Sequence, residues 1–269
     1  MNRFYPRLIL ATAAVAVLSY FPALADAGSV TVTGSSSSGA RVVLTSDKND
    51  FDARFDLKFE ELPGELRITM KKKESLSSWS TWFNSSKIRF EIQVPTKTST
   101  DLQTGGGHVK LVSMEGEASL ETSGGHIEVT DLRGNLTAET SGGHIAIKRV
   151  SGNAKVETSG GHIEIHGAKG RVDADTSGGH VEVSFASGNA HGGRIESSGG
   201  GITIAVDPSV DLSIDASTSG GTVRNDIPIT VVGKVKGSSI KGTLGKGGET
   251  LYVHTSGGSV RLGAVDAAN

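Results

Sequence analysis

The stretch "TSGGHIEV" runs from Thr122 to Val129, and close copies return as "TSGGHIAI" from Thr140, "TSGGHIEI" from Thr158 and "TSGGHVEV" from Thr176. His108, His126, His144, His162 and His180 therefore recur every 18 residues. A fixed period of that length marks stacked supersecondary units, none of which can bury its apolar face alone. Each period divides into two halves of nine, such as "GEASLETSG" from Gly116 and "GHIEVTDLR" from Gly125, with apolar residues at the third and fifth positions. That alternation is the signature of a half-buried strand, and the Gly-Gly and Gly-Asn junctions are expected to supply the positive φ of tight turns.

Working outward from the repeat, the inward pairs of the first half run Ala118/Leu120, Leu136/Ala138, Ala154/Val156 and Val172/Ala174, so large and small residues exchange places from coil to coil. The second half offers Ile127/Val129, Ile145/Ile147, Ile163/Ile165 and Val181/Val183. Branched residues facing partly small ones fill a thin two-layer core at native density. The expected fold is all-β: a β-solenoid, parallel β-helix or β-roll in character, with 18-residue coils of two short strands each. A meander of hairpins competes, but it would leave one wide apolar face, and the sequence has no amphipathic helix to cover it.

Before the repeat, "SVTVTG", "ARVVLTSD", "RFDLKFEEL", "ELRITMKKK" and "KIRFEIQVP" read as longer, irregularly spaced strands. After His180 the interval stretches to 21, and the pattern breaks at Pro228 before "TSGGSVRL" at Thr255, as terminal coils of an array often do. The chain is thus read as a leader over 1–25, an N-terminal strand region over 26–103, regular coils over 104–206 and irregular C-terminal coils over 207–269.

The leader reading rests on Arg3 and Arg7, the apolar run Leu8 to Tyr20, and Ala23-Leu24-Ala25 before Asp26, which together resemble a secretory signal peptide. No later stretch approaches the roughly 18 consecutive apolar residues of a spanning helix. The product is expected to be exported, whether to the periplasm, the outer surface or the medium. The chain has no cysteine, which excludes disulfides, thiolate ligands, a cysteine nucleophile and a lipidated N-terminal cysteine. Its net charge of −2 becomes −4 without Arg3 and Arg7, so nucleic acid is excluded as a partner.

With "TGGGHVKL" at Thr104, the four TSGGH copies, and "IKGTLGKGGETLYVHTSGGSVRL" from Ile240 to Leu262, the chain resembles a bacterial β-strand-repeat family of unknown function whose members carry the name "putative adhesin". The resemblance covers nearly all of the chain after the leader. It implies a repeat scaffold with a protein or cell-surface ligand, and it supplies no catalytic residues.

The histidines sit at the second, outward position of their strands, with Glu128, Glu164 and Glu182 two residues further on the same face, and Lys110 and Ala146 interrupting. In stacked coils such residues lie about 4.8 Å apart, so the imidazoles form a ladder that offers ligands for Zn, Cu or Ni. The alternative is a solvated edge on which copying the repeat copies its histidine. A ladder of this kind is also a candidate pH-responsive element. A second outward ladder, Glu121, Glu139, Glu157 and Asp175, needs a cation or lysine to relieve its like charges. Calcium of the nonapeptide β-roll type is disfavoured, because "GGHIEVTD" lacks the second glycine and correctly placed aspartate of that motif.

Trp79, Trp82 and Phe83 are an aromatic cluster in an aromatic-poor chain, suited either to contact a partner or to cap the open end of the core. The run Lys71 to Lys73 reads as a charged edge that discourages strand addition. No nucleophile and base, or opposed carboxylates, stand where the repeat is broken. The expectation is therefore a non-enzymatic adhesin or envelope scaffold, with metal or pH response through the histidines as the alternative.

Overall fold

The computed structural model describes residues 9–13, 20–25, 28–48, 51–73, 87–207, 209–231 and 236–265. The chain forms two compact units, Met1–Glu128 and Val129–Asn269. Among the described residues the only helix is the single turn Phe51–Arg54.

In the second unit, the strands Leu136–Thr140, Ala154–Thr158, Val172–Thr176 and Gly193–Ser197 are successive parallel neighbours in one sheet. Ile145–Val150, Ile163–Ala168, Val181–Phe185 and Ile202–Val206 are successive parallel neighbours in the other. Leu136 pairs with Ala154 and Ala154 with Val172, so the chain completes one solenoid coil every 18 residues, as the histidine spacing requires. The inward residues expected from the alternation are buried throughout, from Ala154 and Val156 on one sheet to Ile163 and Ile165 on the other. Burying a branched aliphatic side chain stabilises by about 1.5–3 kcal/mol, and this stack of apolar rungs is what holds the coils together.

Coil order departs from chain order at the C-terminus. The strand Thr250–Thr255 lies between Gly193–Ser197 and Leu212–Thr218, parallel to both. Its companion Val260–Ala264 lies between Ile202–Val206 and Val223–Asn225. The coil Leu212–Asn225 is laid one place too far out, and the last coil returns to fill the gap. Both rims of that gap carry backbone N–H and C=O groups that need partners, and "TSGGSVRL" brings the same inward alternation as the coils beside it. The exposed side of Leu212–Thr218 is then covered by the antiparallel strand Ser239–Leu244.

The first unit repeats this device at the other end of the chain. Ser29–Ser35 lies between Ile88–Pro95 and Val109–Glu115, parallel to both. Ala40–Ser46 covers Ile88–Pro95 in antiparallel fashion, and Phe55–Leu62 forms a hairpin with Glu65–Lys72. The segment Tyr20–Ala25, which falls in the stretch read as a leader, is a strand between Ser99–Thr104 and Glu65–Lys72. The core of this unit is Val30, Val32, Leu44, Met70, Phe90, Ile92, Leu102 and Leu111.

Candidate functional site

The TSGGH turn is built around its threonine. Thr158 Oγ1 donates to the Gly143 carbonyl one coil below, at 3.0 Å, and accepts from Gly161 N–H at 3.2 Å. Thr176 repeats both bonds with Gly161 and Gly179, and Thr122 with Gly107 and Gly125. Ser197 and Thr255 do the same in the coils that follow. These hydroxyls are buried, with Thr122, Thr140, Thr158 and Thr176 only 1–7% exposed. Sequence reasoning stopped at the apolar third and fifth positions and missed that threonine continues the inward series at the seventh.

The paired glycines work differently from the expectation. None of the SGG glycines has a φ in the left-handed range. The second glycine is needed for close approach: a Cβ on Gly161 would overlap the Gly143 carbonyl oxygen and lie 2.5 Å from its carbon. Gly107, Gly125, Gly179, Gly200 and Gly258 face a glycine carbonyl in the same way. Positive φ is found at the Gly-Asn junctions of Gly134 and Gly188, and left-handed backbone also occurs near the end of the second strand of the coil, at Ser113, Asp131, Arg149 and Gly167.

The turn delivers the histidines in register. In the first unit His126 N–H donates to Nδ1 of His108 at 3.0 Å, and the rings stack with centroids 4.8 Å apart and planes within 12°. In the second unit His162 N–H donates to Nδ1 of His144 and His180 N–H to Nδ1 of His162, each at 2.8 Å. The His144 and His162 rings are 4.8 Å apart and within 3° of parallel. A backbone N–H can only donate, so each Nδ1 is an acceptor and the proton of the neutral ring is on Nε2. The ladder presents a row of outward N–H donors. A metal at Nε2 would have to move that proton to Nδ1, against the N–H of the next coil.

The carboxylates beside the ladder divide. Glu128 is held by Lys110 at 2.8 Å. Glu164 and Glu182 are register neighbours, and neither forms an ion pair among the described residues. No group of three or more His, Cys, Asp or Glu is placed to hold a metal ion among the described residues. Of the other histidines, His166 is outward beside Lys148, His191 is 3.7 Å from Glu249, and His254 Nδ1 is 3.0 Å from Ser217 Oγ. Trp79, Trp82 and Phe83 lie outside the described residues.

On the opposite sheet the charges pair with one another. Lys155 bridges Glu157 at 2.9 Å and Glu139 at 3.6 Å, which relieves part of the expected acidic ladder. Arg194 forms a two-pronged contact with Glu196 at 2.7 Å and lies over the Tyr252 ring at 4.7 Å. Asp175 has its carboxyl pushed above the usual range by burial and by the negative charges of Glu196 and Glu157. At the two left-handed residues of neighbouring coils, Arg149 grips Asp131 through Nε and Nη2, and this holds the Asp131 carboxyl below its ordinary value.

The family model described as Toastrack DUF4097 matches residues 23–263. The chain belongs to the Toastrack DUF4097 family. No curated protein matches it. A crystal structure from Bacteroides fragilis, bearing the name "putative adhesin", superposes with a TM-score of 0.58 at 12% identity over 95% of this chain and 97% of the other. A "putative adhesin" of Parabacteroides distasonis gives 0.47 at 12% identity over 95% and 97% of the two chains. A "putative lipid binding protein" of the same species gives 0.41 at 15% identity over 96% and 97%. At 12% identity the likeness to the Bacteroides fragilis structure is one of fold. No described helix of this Toastrack chain is long and apolar enough to cross a membrane.

Proposed function

We propose that this Toastrack protein is an exported, non-enzymatic adhesin or envelope scaffold that meets a protein or cell-surface ligand through its repetitive outer faces. The observation that carries this reading is the way outward side chains are satisfied. They bond to near neighbours on the same sheet, one coil away in the histidine ladder and along and across strands from Lys155 to Glu157 and Glu139, and among the described residues they do not converge on a point where a substrate would sit. The name of the Bacteroides fragilis relative agrees with it. Export with cleavage after Ala25 would remove the strand Tyr20–Ala25, whose Pro22 has no N–H to give to either neighbour.

The test is protease digestion of intact producing cells, paired with attachment of those cells, with and without the gene, to host matrix and to each other. Cleavage on intact cells together with lost attachment in the deletion strain supports an adhesin. Protection until the outer membrane is opened supports an envelope scaffold. Turnover of a glycan by the purified protein, abolished by one substitution, refutes the reading.

A second reading rests on the Nδ1 acceptors. A doubly protonated imidazole has no lone pair for the N–H above it, so protonation of a ring is incompatible with its ladder hydrogen bond. Ring nitrogen shifts measured as the rings are protonated test it, and rungs that keep their hydrogen bonds when charged would refute it.

A further inference from the structure

One outer face of the second unit carries charges in an unbalanced order. Along the outward row that crosses five neighbouring strands, the residues are Glu164, Glu182, Thr203, Arg261 and Arg224, each the register partner of the next. Like charges sit side by side at both ends of the row, an arrangement that costs stability in a sheet. Glu164, Glu182 and Arg224 form no ion pair among the described residues, while Arg261 reaches Asp226 at 3.0 Å. The opposite sheet pairs its charges internally, through Lys155, Arg171, Arg194 and Lys241. The sign pattern extends sideways, with His166 beside Glu164 and Asp226 beyond Arg224.

We propose that this face pairs with the same face of a second copy, about a two-fold axis that runs along the strand Ile202–Val206. Such an axis reverses the order of strands and keeps position along each strand. Thr203 then meets Thr203 of the second copy, Glu182 meets Arg261, and Glu164 meets Arg224, so all four charges of each row find opposite partners. A two-fold axis across the strands would instead set Glu on Glu and Arg on Arg. The centre admits close approach, because the outward residues of the axial strand are Thr203 and Ala205, flanked by Gly201 and Gly263. An isologous contact requires this self-complementarity of one patch.

Five strands at about 4.8 Å and some five residues at about 3.3 Å cover roughly 400 Å² per copy. The total of about 800 Å² is below the ~1,200 Å² of a standard interface, so the pair is weak, in the micromolar to millimolar range, and sensitive to salt.

Sedimentation velocity from about 10 µM to 1 mM is expected to show a concentration-dependent dimer at ~20 mM salt that disappears at ~500 mM, beyond the screening length of its ion pairs. Glu164→Arg and Arg224→Glu are each expected to weaken the dimer by roughly tenfold or more, since each creates two like-charge contacts per dimer. Mixing the two variants restores opposite charges at both contacts and should restore association as a mixed dimer. Circular dichroism checks that each variant is folded, and the chain carrying both changes, which should dimerise again, serves if one does not fold. A monomer across the range at low salt overturns the proposal. So does a dimer indifferent to the reversals, or a mixture that stays monomeric.

Discussion

Two adjacent glycines with the same chemistry should respond in opposite ways to the same substitution. In Gly161→Ala the new Cβ would lie 2.5 Å from the Gly143 carbonyl carbon and 3.0 Å from His144 N. Ordinary carbon contacts are about 3.5–4.0 Å, and the Gly143 carbonyl oxygen would be closer still, so the two coils must separate locally by at least about 1 Å. Among the bonds that cross that seam next to Gly161 are Ile145 N–H to the His162 carbonyl at 2.9 Å, His162 N–H to His144 Nδ1 at 2.8 Å, and Thr158 Oγ1 to the Gly143 carbonyl at 3.0 Å. An added 1 Å takes each beyond the ~3.5 Å at which a hydrogen bond is lost, and at about 1 kcal/mol apiece the cost is about 3 kcal/mol. In Gly160→Ala the nearest atom is the Ser141 carbonyl oxygen at 3.8 Å, and the φ is not left-handed. That change should be neutral, or stabilising by up to about 1 kcal/mol through the unfolded chain. Urea and thermal unfolding of the two variants read the contrast, with a fall of roughly 6–12 °C expected for Gly161→Ala alone. Equal shifts, or a Gly161→Ala shift within error of the parent, would refute stacking by glycine contact.

Thr158→Val keeps the shape of the rung but strands the Gly161 N–H and the Gly143 carbonyl, and should lower the urea midpoint by the equivalent of about 2 kcal/mol; Thr158→Ser should recover most of it. The lowered Asp131 value means that its pairing with Arg149 contributes fully above the ordinary aspartate value of about 4 and is lost as pH falls below it, so Asp131→Asn should flatten the acid limb of a stability–pH curve. Asp175 has the opposite sign: its folded form binds a proton more readily than the unfolded chain, its effect turns unfavourable as pH rises through the folded value, and Asp175→Asn should stabilise the protein at neutral pH. At neutral pH the ring nitrogens of His108, His144 and His162 should show the Nε2–H tautomer, and micromolar zinc should leave their shifts unchanged; zinc-induced movement to Nδ1–H would refute that assignment.

The solenoid was legible because one period carried it. Positions such as Ile163 and Ile165 alternate with outward Glu164 in every coil, and a stack of identical rungs admits only one register. The place of the last coil was not legible, since "TSGGSVRL" fits any rung equally well and only the gap left by Leu212–Asn225 selects one. The histidine ladder was visible as a row, but its tautomer was not. That depends on Nδ1 facing the N–H of the next coil, a consequence of how closely the SGG turns stack. The role of the second glycine lies beyond the sequence for the same reason: a sequence shows that a residue is small, and only the neighbouring coil shows why.

A repeat array must also end, and its ends expose the backbone edges that invite uncontrolled pairing. Here Ser29–Ser35 in the first unit and the coil Thr250–Ala264 in the second each lie between two parallel neighbours. Antiparallel strands carrying charges, such as Phe55–Leu62 with Asp56, Lys58 and Glu60, occupy outer positions in their place. Uncontrolled growth along the strand-pairing direction is thereby opposed, and what remains available for contact is the outer faces. Those faces are not equivalent: one neutralises its charges within the chain, while the other leaves Glu164, Glu182 and Arg224 without an ion pair among the described residues. Contact through that second face is therefore expected to be lateral, through rows of side chains, and to depend on salt more than on any single residue.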